Sequence, residues 1–142
     1  MVNQRQEGND VAVHVAMMTL LVDDYDRGIA FYRDALGLGL LEDTDMGDGK
    51  RWVVLAGPGG ARLLLAKAVG DRQRAAIGNQ TGGRVGLFME TDDFQRDHAG
   101  FIARGVTFRE PPRYEAYGIV AVFEDPFGNA WDLIQPQSPS ER

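Results

Sequence analysis

The chain has 142 residues, 44% hydrophobic and 25% charged, the size and make-up of one globular domain with a real core. A net charge of −6 counts against a nucleic-acid backbone or an anionic membrane as partner. With no cysteine, disulfides, thiolate metal sites and Cys nucleophiles are excluded, which suits a cytoplasmic location.

Residues 1–10 form a polar tail without the basic-then-apolar pattern of a targeting segment. Val11–Val22 reads as a buried strand, too short to span a bilayer. Asp23 or Asp24 then caps a helix with Tyr25, Ile29, Tyr32 and Leu36 on one stripe, and Gly37 stops it. An extended segment at Leu38–Leu41 leads into a charged loop, Asp43–Gly49. Trp52–Ala56 and Arg62–Ala66 are two strands around the turn Gly57-Pro58-Gly59-Gly60. A polar linker, 67–83, follows, with a short helix predicted at Asp71–Ala76.

Arg84–Thr91 is the next predicted strand, and Asp92 or Asp93 caps a helix with the stripe Phe94, His98, Phe101 and Ile102, stopped by Gly105. Val106–Arg109 is extended. Ile119–Phe123 and Ala130–Ile134 make the last hairpin across Asp125-Pro126-Phe127-Gly128-Asn129, and 136–142 is a second polar tail. The two halves match at a spacing of 69: Asp23-Asp24-Tyr25 returns as Asp92-Asp93-Phe94, and Gly59, Ala61 and Leu64 return as Gly128, Ala130 and Leu133. Two copies are too few for a solenoid. The expectation is one domain, 11–135, made of modules 11–66 and 84–135, each ordered strand, helix, strand, strand, strand.

Leu21-Val22-Asp23-Asp24 with Ala30-Phe31-Tyr32-Arg33-Asp34-Ala35-Leu36-Gly37, and above all Glu124-Asp125-Pro126-Phe127-Gly128-Asn129 with Trp131-Asp132-Leu133-Ile134, resemble the vicinal oxygen chelate superfamily. That group includes glyoxalase I, extradiol dioxygenases and bleomycin-resistance proteins. The resemblance implies an α+β fold of two βαβββ modules forming a cupped, open-barrel sheet with helices outside. It also implies a homodimer and a small-molecule ligand. Function does not follow from the fold alone, because the family holds enzymes and pure binders.

Metal-using members place His, Glu or Gln at four inward positions, which align here with Met17, Leu63, Gly86 and Asp132. Three of these cannot ligate a hard divalent ion, which needs about three or four N or O donors. No metal and no other cofactor is therefore expected. In this register Asp132 projects among Met17, Leu63, Leu65, Phe88 and Ile134. It reads as a general base or ligand anchor, or else as a carboxylate satisfied by an Arg, an amide or water. Glu90 is either a second polar contact or a solvated strand end. Arg113, Tyr114 and Tyr117 lie on a segment read as either a lid or a plain surface loop. His98 and Trp131 read as structural, His14 as structural or interfacial, Trp52 as core or dimer packing rather than substrate stacking, and the Asp-Asp pairs as caps. The ligand set is thus Met17, Leu63, Phe88, Glu90, Asp132, Ile134, Arg113 and Tyr117. The function expected is metal-free binding of a small organic molecule in a mainly apolar cavity. The alternative is a glyoxalase-type lyase or isomerase, with Asp132 moving a proton or with a metal if the register is wrong.

Overall fold

A computed structural model describes residues 12–137. The repeat in the sequence is a repeat in space. The first module contributes strands β1 (Met17–Val22), β2 (Gly39–Gly47), β3 (Lys50–Ala56) and β4 (Arg62–Lys67), in the sheet order β1-β4-β3-β2. From the second come β5 (Leu87–Glu90), β6 (Thr107–Phe108), β7 (Arg113–Glu115), β8 (Gly118–Glu124) and β9 (Ala130–Pro136), in the order β5-β9-β8-β6 with β7 also on β8. Each sheet joins its first and last strands in parallel, β1 to β4 and β5 to β9, and its other pairs are antiparallel. The sheets do not close into a barrel.

Each module's helix starts where its aspartate pair predicts. Asp24 accepts a hydrogen bond from the backbone N–H of Arg27, and Asp93 accepts one from that of Arg96, satisfying donors the first helical turn leaves free. Helix α1 spans Tyr25–Ile29 and passes directly into a π-helical stretch, Ala30–Ala35, in which Leu36 N–H reaches back five residues to Phe31 O at 3.0 Å. A π-turn absorbs one extra residue. Helix α3 (Phe94–Ala103) has none, so the stop glycine follows its cap by thirteen positions in the first module (Asp24 to Gly37) and by twelve in the second (Asp93 to Gly105). Both stop glycines have positive φ, 86° and 92°, as a helix C′ position requires. Helix α2, Gly70–Ala76, lies in the linker.

Several predicted boundaries move. β1 begins at Met17 rather than Val11: residues 12–16 carry no strand pairing, and residue 11 lies outside the described residues. Of the predicted loop Asp43–Gly49, only Asp48 and Gly49 are a turn; Asp43–Gly47 is the outer half of β2, paired along β3 and bulged at Leu40/Glu42 and Asp45/Gly47. Cross-strand pairing overrides its charge, since edge strands tolerate acidic side chains turned to water. β5 is shorter than Arg84–Thr91, and Ile102 is 51% exposed rather than on the buried stripe of α3. Arg113–Glu115 is a paired strand, not a free lid.

One core spans both modules. Leu20, Val22, Val53, Leu55, Leu63 and Leu65 of the first sheet join Ala121, Phe123, Trp131 and Leu133 of the second beneath the helices. The junction is made by the π-turn, where the Phe31 ring lies 6.4 Å from Phe123 and Tyr32 5.8 Å from Trp131. Tyr32 is fully buried, donates its hydroxyl to buried Asp125 and accepts from Trp131 Nε1 at 3.0 Å. Asp125 also accepts from Phe127 N (2.9 Å), Asn129 N (2.8 Å) and Asn129 Nδ2 (2.7 Å), which shapes the last hairpin turn. Burial, followed by the Asp125 charge, raises the Tyr32 phenol far above its ordinary value, so it remains the donor.

Tyr32→Phe removes a donor from Asp125 and the acceptor from Trp131 in one change. A loss of about 1–3 kcal/mol is expected, read as a lower urea midpoint at unchanged slope.

Candidate functional site

Strand pairing decides which residues share a face, because paired residues point the same way and neighbours alternate. In the second sheet Trp131 and Leu133 face the helices. Asp132 and Ile134 therefore face the other way, beside Phe88 and Glu90 of β5 and Val122 and Val120 of β8. Arg113 pairs with Val120 and joins them. Tyr114 faces the helix side, where its hydroxyl accepts from Gln95 Nε2 at 3.2 Å. The structure thus brings Phe88, Glu90, Asp132, Ile134 and Arg113 onto one face, with Tyr117 near enough to Arg113 to interact with it. Phe88 is 65% exposed, so this face is open.

Leu63 and Leu65 do not join it. Leu63 pairs with Met18 and Leu55 and lies in the helix-side core, and Leu65 is its neighbour there. The cause is the extra residue in the π-turn. Before it the modules are offset by 69, as Asp24 and Asp93 are. After it the offset is 68, so the pairs Val53/Leu65 and Leu55/Leu63 correspond to Ala121/Leu133 and Phe123/Trp131. The equivalent of Asp132 is Leu64. Met17 alternates with Met18 and Leu20 and lies on the opposite face of the first sheet from Leu63. One mismatch was visible in the sequence: Gly37 and Gly105 are 68 apart.

The corrected register leaves the donor chemistry as poor as before: Met17, Leu64 and Gly86 offer no hard ligand beside Asp132. A Cβ at Gly86 would collide with the Thr81 methyl, so the linker fills the room a liganding side chain would take. Among the described residues no group of three His, Cys, Asp or Glu side chains could hold a metal ion. The residues present do not fit the divalent metal of the family's enzymes.

The polar centre of the open face is a small charged cluster. Arg113 Nε lies 3.1 Å from both oxygens of Glu110, and its Nη1 lies 2.9 Å from Glu115. Glu110 also accepts from Val122 N at 3.1 Å, which pins the cluster to β8. Asp132 stands beside it with a buried Oδ1 that has no hydrogen-bond partner. Desolvation raises its carboxyl above the usual range; the Arg113 charge opposes that rise and the Glu110 charge adds to it. Arg51, on β3, is held away from this face by Asp43 at 2.8 Å and Asp26 at 3.0 Å. His98 packs between Phe94 and Phe108, with ring centres 5.2 and 4.4 Å away.

No helix among the described residues is long and apolar enough to cross a membrane. Residues 12–133 match the family model of the Glyoxalase/Bleomycin resistance protein/Dioxygenase superfamily. An uncharacterized protein of Shewanella frigidimarina is 51% identical over 126 residues, covering 87% of this chain and 91% of that protein. The crystal structure of TnmS3, an antibiotic binding protein from Streptomyces sp. CB03234, is similar at TM-score 0.72 and 31% identity, over 89% of this chain and 99% of that one. A glyoxalase/bleomycin resistance protein from the same Streptomyces follows at TM-score 0.67 and 30% identity, over 86% and 100%. With the repeated module, the sheet order and the Asp125–Asn129 turn all in agreement, the chain belongs to the glyoxalase/bleomycin resistance protein/dioxygenase superfamily.

Proposed function

We propose that the protein binds a small organic molecule, without a metal, on the face of the second sheet that carries Asp132. The observation that carries this reading is the buried, unpartnered Oδ1 of Asp132 amid Phe88, Ile134, Val120 and Val122. A buried acceptor left unpaired costs about 1–3 kcal/mol, and a ligand donor would recover that. An acidic chain and an acidic cluster favour a ligand with an apolar body and a cationic or N–H donor group. TnmS3, similar over most of its length, is described as an antibiotic binding protein, which supports the same reading.

Binding is favoured over proton-transfer catalysis by the state of Arg113. An enolate needs a free electrophile, and Arg113 is already paired with Glu110 and Glu115. In this proposal a second copy of the chain covers the open face, giving a homodimer whose sites lie between subunits.

Bleomycin and a panel of aromatic cationic antibiotics are the probes, read by thermal shift in EDTA. At least one should bind, and Asp132→Asn should weaken it about tenfold, as the loss of one charge-assisted hydrogen bond does. No shift across the panel, or a shift that EDTA abolishes, would refute the proposal. Sedimentation should give twice the chain mass at micromolar concentration; a monomer would remove the shared-site part.

Asp132→Asn also tests the environment without any ligand. The folded carboxyl titrates above its ordinary 3.8, so ionised Asp132 costs stability at neutral pH, and that cost fades as pH falls through the folded value toward 3.8. The variant should therefore be more stable than wild type at pH 7, by up to about 0.5 kcal/mol after solvent screening. The difference should close at acid pH; an equal offset at both would contradict the desolvated site.

A further inference from the structure

One cavity among the described residues does not touch Asp132. It holds about 370 Å3 and lies beneath the connection from α2 to β5, where the two sheets meet. That volume is in the range of small-molecule sites. Its apolar floor is Met18, Leu20, Leu63 and Leu87, on the helix side of their strands, opposite to the Asp132 face. The slip that sends Leu63 away from Asp132 is what places it here.

The roof is held in place. Gln80 donates Nε2–H to Thr19 O at 3.0 Å and accepts Leu21 N–H at 2.8 Å, pairing with the edge of β1 as a strand would. Gly78 sits so close to the carbonyl of Phe127 that a Cβ there would overlap it. The cavity is therefore built by fixed backbone.

Its charge is opposite to that of the molecule. The chain is net −6, yet the cavity is lined by two arginines and by no Asp or Glu. Arg109 is paired with Glu124, whereas Arg84 has no carboxylate partner among the described residues. An apolar floor bordered by Arg84, which has no carboxylate partner among the described residues, suits an amphiphile with one anionic head.

We propose that this cavity is a second small-molecule site, for an apolar monocarboxylate whose chain lies on Met18, Leu20, Leu63 and Leu87 and whose head pairs with Arg84. It is independent of the reading given to Asp132.

The test uses full-length protein carrying 13C-methyl methionine, titrated with decanoate and, separately, with decanol. Decanoate should displace the Met18 methyl signal saturably and leave Met46, on β2, unmoved. It should bind about tenfold tighter than decanol, and Arg84→Gln should erase that preference. Asp132→Asn should change neither. No saturable displacement at Met18, or a preference that survives Arg84→Gln, overturns the second site. Loss of decanoate binding in Asp132→Asn would also overturn it and would assign decanoate to the other face. Failure of the antibiotic panel bears only on the Asp132 face.

Discussion

The arrangement of the two modules rests on the buried hydrogen-bond network of Tyr32. Its hydroxyl links Asp125, which shapes the last turn, to Trp131, which anchors the last strand. Tyr32 itself comes from the first module's helix. Every group in the network is buried, so each needs its partner and only one docking of the modules satisfies them all. Hydrophobic packing alone would tolerate sliding; directional bonds to one carboxylate do not. Arg27, donating to Pro126 O at 2.9 Å, and Arg104, donating to Ala35 O at 2.7 Å, tie the same junction at its edges.

Because the helices and the junction occupy one side of both sheets, the other side is left open. That is the side of Asp132, Phe88 and Ile134. A carboxylate there is held in a strained electrostatic position: partly desolvated, near a negative Glu110, and near an arginine that two other carboxylates already claim. Such an environment favours accepting a donor over performing acid–base work on an unstabilised anion. The cavity beneath the linker has the reverse chemistry, lined by two arginines, of which Arg84 has no carboxylate partner among the described residues, and by apolar side chains. The two proposed sites thus differ in the sign of their charge.

The π-turn in the first helix joins these features. One inserted residue leaves the caps in phase and puts everything after the helix out of phase by one. Since side-chain direction alternates along a strand, a slip of one exchanges the faces. Leu63 consequently leaves the Asp132 face for the core and the second cavity, and Leu64 takes its place. The same turn carries Phe31 and Tyr32 to the second module.

The amino-acid sequence by itself determined what local chemistry controls. The repeat, both aspartate caps, the stop glycines, the strand-rich order of each module and the inward position of Asp132 were all legible, because caps, glycine conformations and alternation act over a few residues. Only the tertiary structure decided the rest. Acidic Asp43–Gly47 became strand because β3 offered it hydrogen bonds. The register of β4 followed from a helical irregularity more than twenty residues earlier. The cavity at Arg84 exists because Gln80 closes onto β1 from sixty residues away, a long-range contact that no local pattern encodes.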